Sequence, residues 1–265
     1  MKNETQTRAA SGLLYIVLLI GATLFSTISF TFLFAVFMVI AVYEFSKLVE
    51  INIYFSLVFA ILIFTIFQLS TFKSLNVLLI FTILTSVWLL FELFYPHEIS
   101  QNNILKKYFF LLGYAIFPFI ILLKTPFLNT VFTPQIIIGI FILIWTNDTF
   151  AYLVGKTIGK HKLFERISPK KTIEGFLGGL LFTSIAGYII QHYFSFFSTT
   201  LWMQIAVLVT VFGTLGDLIE SRFKRMAGVK DSGNIMPGHG GILDRLDSII
   251  FAIPFIFLLL NYVFF

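Results

Sequence analysis

Long apolar runs, separated by short polar stretches, fill most of the chain. They lie near 11–25, 27–46, 52–70, 74–95, 108–124, 135–154, 173–193, 201–219 and 247–264. A bilayer core about 30 Å thick needs roughly 20 apolar residues per helix. The pattern therefore predicts an all-α fold, a polytopic transmembrane helix bundle of about nine spans. Only the weak break from Ser26 to Ser29 separates the first two runs, so eight spans also satisfy it. The strands of a membrane barrel alternate in polarity, and these runs do not.

Composition narrows the class. Of 265 residues, 58% are hydrophobic and 12% charged, against about 25% charged in a soluble domain. Too few charges remain to cover a water-facing surface, which excludes a soluble enzyme, a secreted disulfide scaffold and a disordered chain. Cysteine is absent, so thiolate and disulfide chemistry is excluded as well. The 35 phenylalanines read as lipid-facing filler. A net charge of +5 does not by itself suggest nucleic acid; the placement of the charges says more. With nine spans, 16 of the 18 Lys and Arg residues fall on one side, and only Lys73 and Lys124 on the other. Positive charge collects on the cytoplasmic side, which puts the N-terminus and the loops 155–172 and 220–246 in the cytoplasm. Lys2 and Arg8 precede the first run without a small-residue cleavage pattern after it, so that run reads as a retained anchor.

The charges are also uneven along the chain. Residues 156–174 and 217–247 hold 18 of the 31 charged side chains. Residues 1–134 therefore read as a scaffold and 135–265 as the half that carries chemistry. In the eighth span, Asp217, Glu220 and Ser221 share one helical face if the helix continues. Asp244 and Asp247 share a face at the start of the ninth. Two unit charges about 4 Å apart repel by about 4 kcal/mol at an effective dielectric of 20, so converging carboxylates call for a cation. Hard oxygen ligands suit Mg²⁺, which shares its shell with substrate phosphates. The other reading pairs these acids with Arg222, Arg225 and Arg245 as solvated helix-end charges. Between them, Gly238, His239, Gly240 and Gly241 precede a helix start, where backbone N–H groups and the helix dipole favour an anion. Lys224, Arg225 and Lys230 are near in sequence. The combination resembles a polyphosphate site; a plain turn with interfacial cations is the bland alternative.

A second stretch interrupts the sixth span with Thr146, Asn147, Asp148, Thr149 and Tyr152. A carboxylate at that depth costs about 3 kcal/mol on insertion scales and belongs in a polar cavity. Ser168, Lys170, Lys171 and Thr172 follow at the expected start of the seventh span, where the lysines suit phosphate as point charges. Lys156, Lys160 and Lys162 read as interfacial. Gly155 with Gly159, and Gly175 with Gly179, have the spacing of close helix packing. His97, His161 and His192 stand isolated.

The segments Ser221-Arg222-Phe223-Lys224-Arg225, Lys230-Asp231-Ser232-Gly233 and Pro237-Gly238-His239-Gly240-Gly241-Ile242-Leu243-Asp244-Arg245-Leu246-Asp247 resemble the signature of the integral-membrane phosphatidate cytidylyltransferases, or CDP-diacylglycerol synthases. So do Trp145-x-Asn147-Asp148-x-x-Ala151-Tyr152, Gly155-Lys156-x-x-Gly159-Lys160, Ser168-Pro169-Lys170-Lys171-Thr172 with Glu174-Gly175, and Gly216-Asp217-x-x-Glu220-Ser221. The resemblance covers about residues 145–250. Lys156 stands where members often have arginine. It implies that CTP and phosphatidate give CDP-diacylglycerol and pyrophosphate with Mg²⁺, in a homodimer, with a second, monovalent cation near the carboxylates. It implies a metal on Asp217, Asp244 and Asp247, and phosphates held by Lys170, Lys171, Lys224, Arg225 and Arg245. Asn147 and Asp148 would line the nucleotide cavity. Ser168, Thr172, Ser221, Lys230, Gly238, His239, Gly240 and Gly241 would complete the substrate site. The setting implied is a bacterial-type plasma membrane, with the site on the cytoplasmic side. The alternatives are a polyprenol kinase, an isoprenoid-lipid cytidylyltransferase, or a transporter. A CDP-alcohol phosphotransferase fits poorly, because its D-G-x-x-A-R start is missing.

Overall fold

The computed structural model of the protein describes residues 2–68, 72–95, 103–127 and 131–264. His97 and the side chains of Lys2, Arg8 and Lys73 lie outside the described residues. The helices are α1 (Lys2–Phe25), α2 (Thr27–Leu48), α3 (Ile53–Gln68), α4 (Phe72–Phe94), α5 (Ile104–Phe110), α6 (Phe117–Lys124), α7 (Pro134–Ile158), α8 (Ile173–Tyr193), α9 (Thr199–Met226) and α10 (Leu243–Phe264). A π-helical turn, Leu111–Ile116, joins α5 to α6 in one rod. Pro118 follows it; proline cannot donate to the preceding turn, and a widened turn accommodates the loss.

Each of the nine apolar runs overlaps one rod. The break between the first two is real: Ser26 caps α2, and its side chain and that of Ser29 bond each other's backbone N–H in a capping box. Among the described residues, seven helices are long and apolar enough to cross a membrane. The apolar part of α1, Ala9–Phe25, and α3, Ile53–Gln68, are shorter; at 1.5 Å per residue the 16 residues of α3 reach about 24 Å.

The C-terminal ends of α2, α4 and α9 and the segment after α7 meet at one end of the bundle. Arg166 Nη2 donates to the Leu93 carbonyl there at 3.1 Å, and Ser11 Oγ to the Pro237 carbonyl at 3.0 Å. Near the opposite end Lys124 Nζ lies 3.4 Å from the Gln68 carbonyl.

Two local features depart from the sequence reading. Residues 168–172 do not open a helix: β1 (Lys162–Phe164) and β2 (Ser168–Thr172) form a small antiparallel hairpin, and only then does Thr172 cap α8, accepting from Gly175 N at 3.1 Å. The ninefold rod count does not put all phenylalanine against lipid. Phe25 is 86% exposed, yet Phe30, Phe34, Phe45, Phe119, Phe141, Phe251 and Phe257 are fully buried. Such rings bury large areas and pair edge to face, as Phe45 does with Phe223 at 5.1 Å. Trp202, also fully buried, fills the space that the missing side chain of Gly139 leaves on α7.

The later helices pack in sequence, α7 on α8, α8 on α9 and α9 on α10. Glycines set their spacing. A Cβ on Gly175 would stand 2.6 Å from the Ala151 carbonyl oxygen, and one on Gly216 would stand 2.6 Å from that of Asp247. The second contact brings α9 and α10 together at the level of their acids.

Candidate active site

Asp217 and Glu220 project from α9 and Asp247 from α10, and one oxygen from each can be chosen so that all lie within 4.8 Å of one another. Glu220 and Asp247 are buried, whereas Asp217 is partly open. Glu220 Oε1 is buried without a hydrogen-bond partner among the described residues. Asp247 Oδ1 accepts from Ser248 N at 2.7 Å. Asp217 Oδ1 accepts from Ser221 Oγ at 3.2 Å, and its Oδ2 pairs with Lys171 Nζ at 2.6 Å. The helical face that joins Asp217, Glu220 and Ser221 persists because α9 continues two turns beyond its apolar run.

Asp244 adjoins Glu220, with which it shares Lys224, but is not one of the three acids whose oxygens converge. Its Oδ1 receives Lys224 Nζ at 2.5 Å. Its Oδ2 accepts from Ser232 N at 2.8 Å, Ser232 Oγ at 2.9 Å and Gly241 N at 2.8 Å. An acid in a first helical turn reaches back to nearby N–H groups in this way. Asp244 thus ties the loop to the start of α10, and Glu220 lies beside Asp217 and Asp247. Lys224, buried, also pairs with Glu220. It bridges the acid trio and the loop and does not point outward.

The start of α10 is likewise occupied from within the protein. Gly241 N donates to Asp244, while Ile242 N and Leu243 N donate to Glu44 at 3.2 and 2.8 Å. The N–H groups expected to cradle an anion are taken by two carboxylates. Gly238 and Gly240 have φ of 76° and 84°, which glycine tolerates best, and they turn the chain tightly. Met236 N donates to the Gly240 carbonyl at 2.9 Å, closing the turn. Arg245 Nη2 donates to the His239 carbonyl at 2.7 Å, and His239 Nδ1 meets Ser11 Oγ at 2.7 Å.

On α7, Asn147 is buried and Asp148 is open, with Asn147 Nδ2 3.4 Å from Asp148 Oδ1. Asn147 Oδ1 is buried without a partner among the described residues. Asp148 feels chiefly the charges of Lys171 and Asp217, and Asp247 those of Asp217 and Asp148. Lys171, Asp217, Glu220 and Asp247 thus stand together, with Asp148 nearby.

The remaining expected residues are placed elsewhere. Arg225 is exposed in the last turn of α9, and its Nη1 donates to the Val229 carbonyl just beyond the helix at 3.1 Å. Lys230 and Lys170 are exposed, and Ser168 is half-buried on β2. Thr172 caps α8, and its hydroxyl fills the space beside Gly155. His161 is not isolated: its Nδ1 lies 2.6 Å from Glu174 Oε1.

Sequence reasoning missed Glu44 and Glu92. Glu92 on α4 pairs with Lys106, lies 3.5 Å from Arg222, and accepts from Trp88 Nε1 at 2.9 Å. Both acids lie inside apolar helices, and a carboxylate there is a functional candidate by default. That signal was available.

The acid trio thus lies near one end of a membrane bundle, with Lys171 at its rim. The sequence model of the cytidylyltransferase family matches residues 6–263, and the chain belongs to that family. It is an integral membrane protein. It is 54% identical over 122 residues to the phosphatidate cytidylyltransferase of Staphylococcus aureus (strain COL), covering 45% of this chain and 46% of that one. It is 51% identical to the enzyme of that name from Staphylococcus haemolyticus (strain JCSC1435), and 49% to that from Staphylococcus epidermidis (strain ATCC 35984), over the same shares. The matched stretch spans a little under half the length of these relatives.

Proposed function

We propose that the protein transfers the cytidylyl group of CTP to phosphatidate, giving CDP-diacylglycerol and pyrophosphate. The observation that carries this reading is the meeting of Asp217, Glu220 and Asp247 beside Lys171, in a chain of this family. The relatives' names supply the lipid.

In the reaction, a phosphate oxygen of phosphatidate attacks the α-phosphorus of CTP. A new P–O bond forms, the α–β phosphoanhydride bond breaks, and pyrophosphate leaves with its electron pair. The nucleophile is already ionised near neutral pH, so no general base is required. The barrier is mainly electrostatic, an anion approaching an anion.

The trio fits a divalent ion: three hard carboxylate donors converge, and Glu220 Oε1 has no hydrogen-bond partner among the described residues. Asp217, Glu220 and Asp247 would hold Mg²⁺, which when bound would neutralise charge developing on the phosphates. Lys171 places a cation at the open side of Asp217, within reach of a phosphate on that rim. Asn147 and Asp148 line the same space and orient the nucleotide. Lys224 keeps Glu220 in place and anchors the loop through Asp244. The site lies toward the lysine-rich end, which by charge bias is the cytoplasmic end, where CTP is found. We also assign the homodimer and any monovalent cation to this reading on the family resemblance alone.

Purified protein given phosphatidate and CTP labelled at the α-phosphate should move the label into lipid in a Mg²⁺-dependent way. Transfer of γ-label alone would identify a kinase and overturn the reading.

A further inference from the structure

We propose that Glu44 is a positioning residue for this transfer: from the N-terminal half it holds the first turn of α10, and thereby Asp247, in register with the acids of α9. The inference rests on the proposed function. Glu44 lies on α2 and is 1% exposed. Its Oε1 accepts from Ile242 N at 3.2 Å; its Oε2 accepts from Leu243 N at 2.8 Å and from Ser232 Oγ at 3.1 Å. The same serine hydroxyl lies 2.9 Å from Asp244 Oδ2. One carboxylate thus ties the start of α10 to the middle of the preceding loop. Side chains on Gly233 or Gly241 would run into it, so the loop is closed around this acid.

Leu243 lies one helical turn before Asp247, and a displaced first turn carries Asp247 with it. Each oxygen of Glu44 serves its own backbone N–H. Glutamine offers one acceptor, so one N–H at the start of α10 would face an NH₂ donor. Aspartate keeps both oxygens on a stem shorter by one methylene. Because Glu44 is buried beneath the loop, its effect on the reaction passes through α10.

The test compares the parent, E44Q and E44D as full chains in detergent. Turnover is followed across a Mg²⁺ titration, and Mn²⁺ binding is measured separately by electron paramagnetic resonance. Loss of a direct outer partner of a metal ligand costs roughly 10–100-fold; Glu44 acts one step further out, through the backbone of Ile242 and Leu243, so E44Q should weaken Mn²⁺ binding by about the lower end of that range, roughly tenfold. It should raise the Mg²⁺ half-saturation in parallel and lower kcat, while KM for CTP stays within about twofold. E44D should recover part of the Mn²⁺ affinity. A merely structural role would reduce the amount of folded protein and leave these constants unchanged per folded molecule. S232A, which removes one donor and keeps Glu44, should shift Mn²⁺ affinity in the same direction by less, and serves if E44Q does not fold. Parental Mn²⁺ affinity in folded E44Q, or in S232A if E44Q does not fold, overturns the proposal. Failure of the parent to transfer α-label would instead overturn the proposed function, and the Mn²⁺ comparison would still decide the role of Glu44.

Discussion

Lys171 on the hairpin and Asp217 on α9 meet at 2.6 Å, Nζ to Oδ2, with both side chains partly exposed at 26% and 38%. A strand outside the bundle thereby delivers its cation to the open side of the acid trio. Partly exposed pairs contribute only about 0–1 kcal/mol. K171A should therefore leave thermal unfolding in detergent nearly unchanged. Turnover should fall by roughly 10²-fold, as when one preorganised group facing transition-state charge is removed. K160A should be mild. The Lys160 side chain is exposed, and alanine keeps the backbone N–H that donates to Glu174 at 3.0 Å. A loss in K160A as deep as in K171A would show that the hairpin acts as one phosphate-binding unit.

Lys224 is the opposite case. It is buried and pairs with both Glu220 and Asp244. Removing one partner of a buried pair costs about 3–5 kcal/mol, because a charge is left without compensation. K224M should lower thermal stability by that order and reduce the yield of folded protein, in addition to losing turnover. An unfolding temperature equal to that of the parent would mean that water or an ion compensates these acids.

Neutralising Asp247 should do the reverse. Three acids in one small space repel, by about 4 kcal/mol for a pair some 4 Å apart at an effective dielectric of 20. D247N removes one of those charges. Measured without divalent metal, its unfolding temperature should equal or exceed that of the parent, while Mg²⁺-dependent turnover is abolished. Near-parental turnover in saturating Mg²⁺ would remove Asp247 from the ligand set.

The rods were legible because lipid imposes a length on each apolar run, and the break at Ser26 was visible as two serines at cap spacing. The hairpin was not. Its polar residues carry no apolar alternation, and Thr172 caps a helix that begins only at Ile173, after the whole of residues 168–172. For the acids, spacing placed Asp217 and Glu220 on one face of α9 and Asp244 and Asp247 on one face of α10. It did not show which of them turn inward. That choice depends on Gly216, which lets the Asp247 backbone approach, and on Ser232 and Gly241, which draw Asp244 toward the loop. Glu44 was legible as a charge inside an apolar span. Its partners lie about two hundred residues away along the chain, at Ser232, Ile242 and Leu243, and only the packing of α2 against the α10 start brings them together.

Gly21 of α1 and Gly179 of α8 permit a last discrimination between packing and propensity. Alanine in place of a helical glycine gains roughly 0.8–1.0 kcal/mol of helix propensity. At Gly21 on α1 nothing lies within 4 Å of an added Cβ, so G21A should be neutral or stabilising. At Gly179 the same methyl would stand 2.6 Å from Asn147 Oδ1. Overpacking of this kind costs about 1–3 kcal/mol, which cancels or outweighs the propensity gain. The affected atom is also the buried amide oxygen of Asn147 that has no hydrogen-bond partner among the described residues. G179A should therefore lose turnover through Asn147 even where its unfolding temperature stays near that of the parent. If G179A raises stability as G21A does and turnover is unchanged, then Asn147 moves aside without consequence and does not orient the nucleotide.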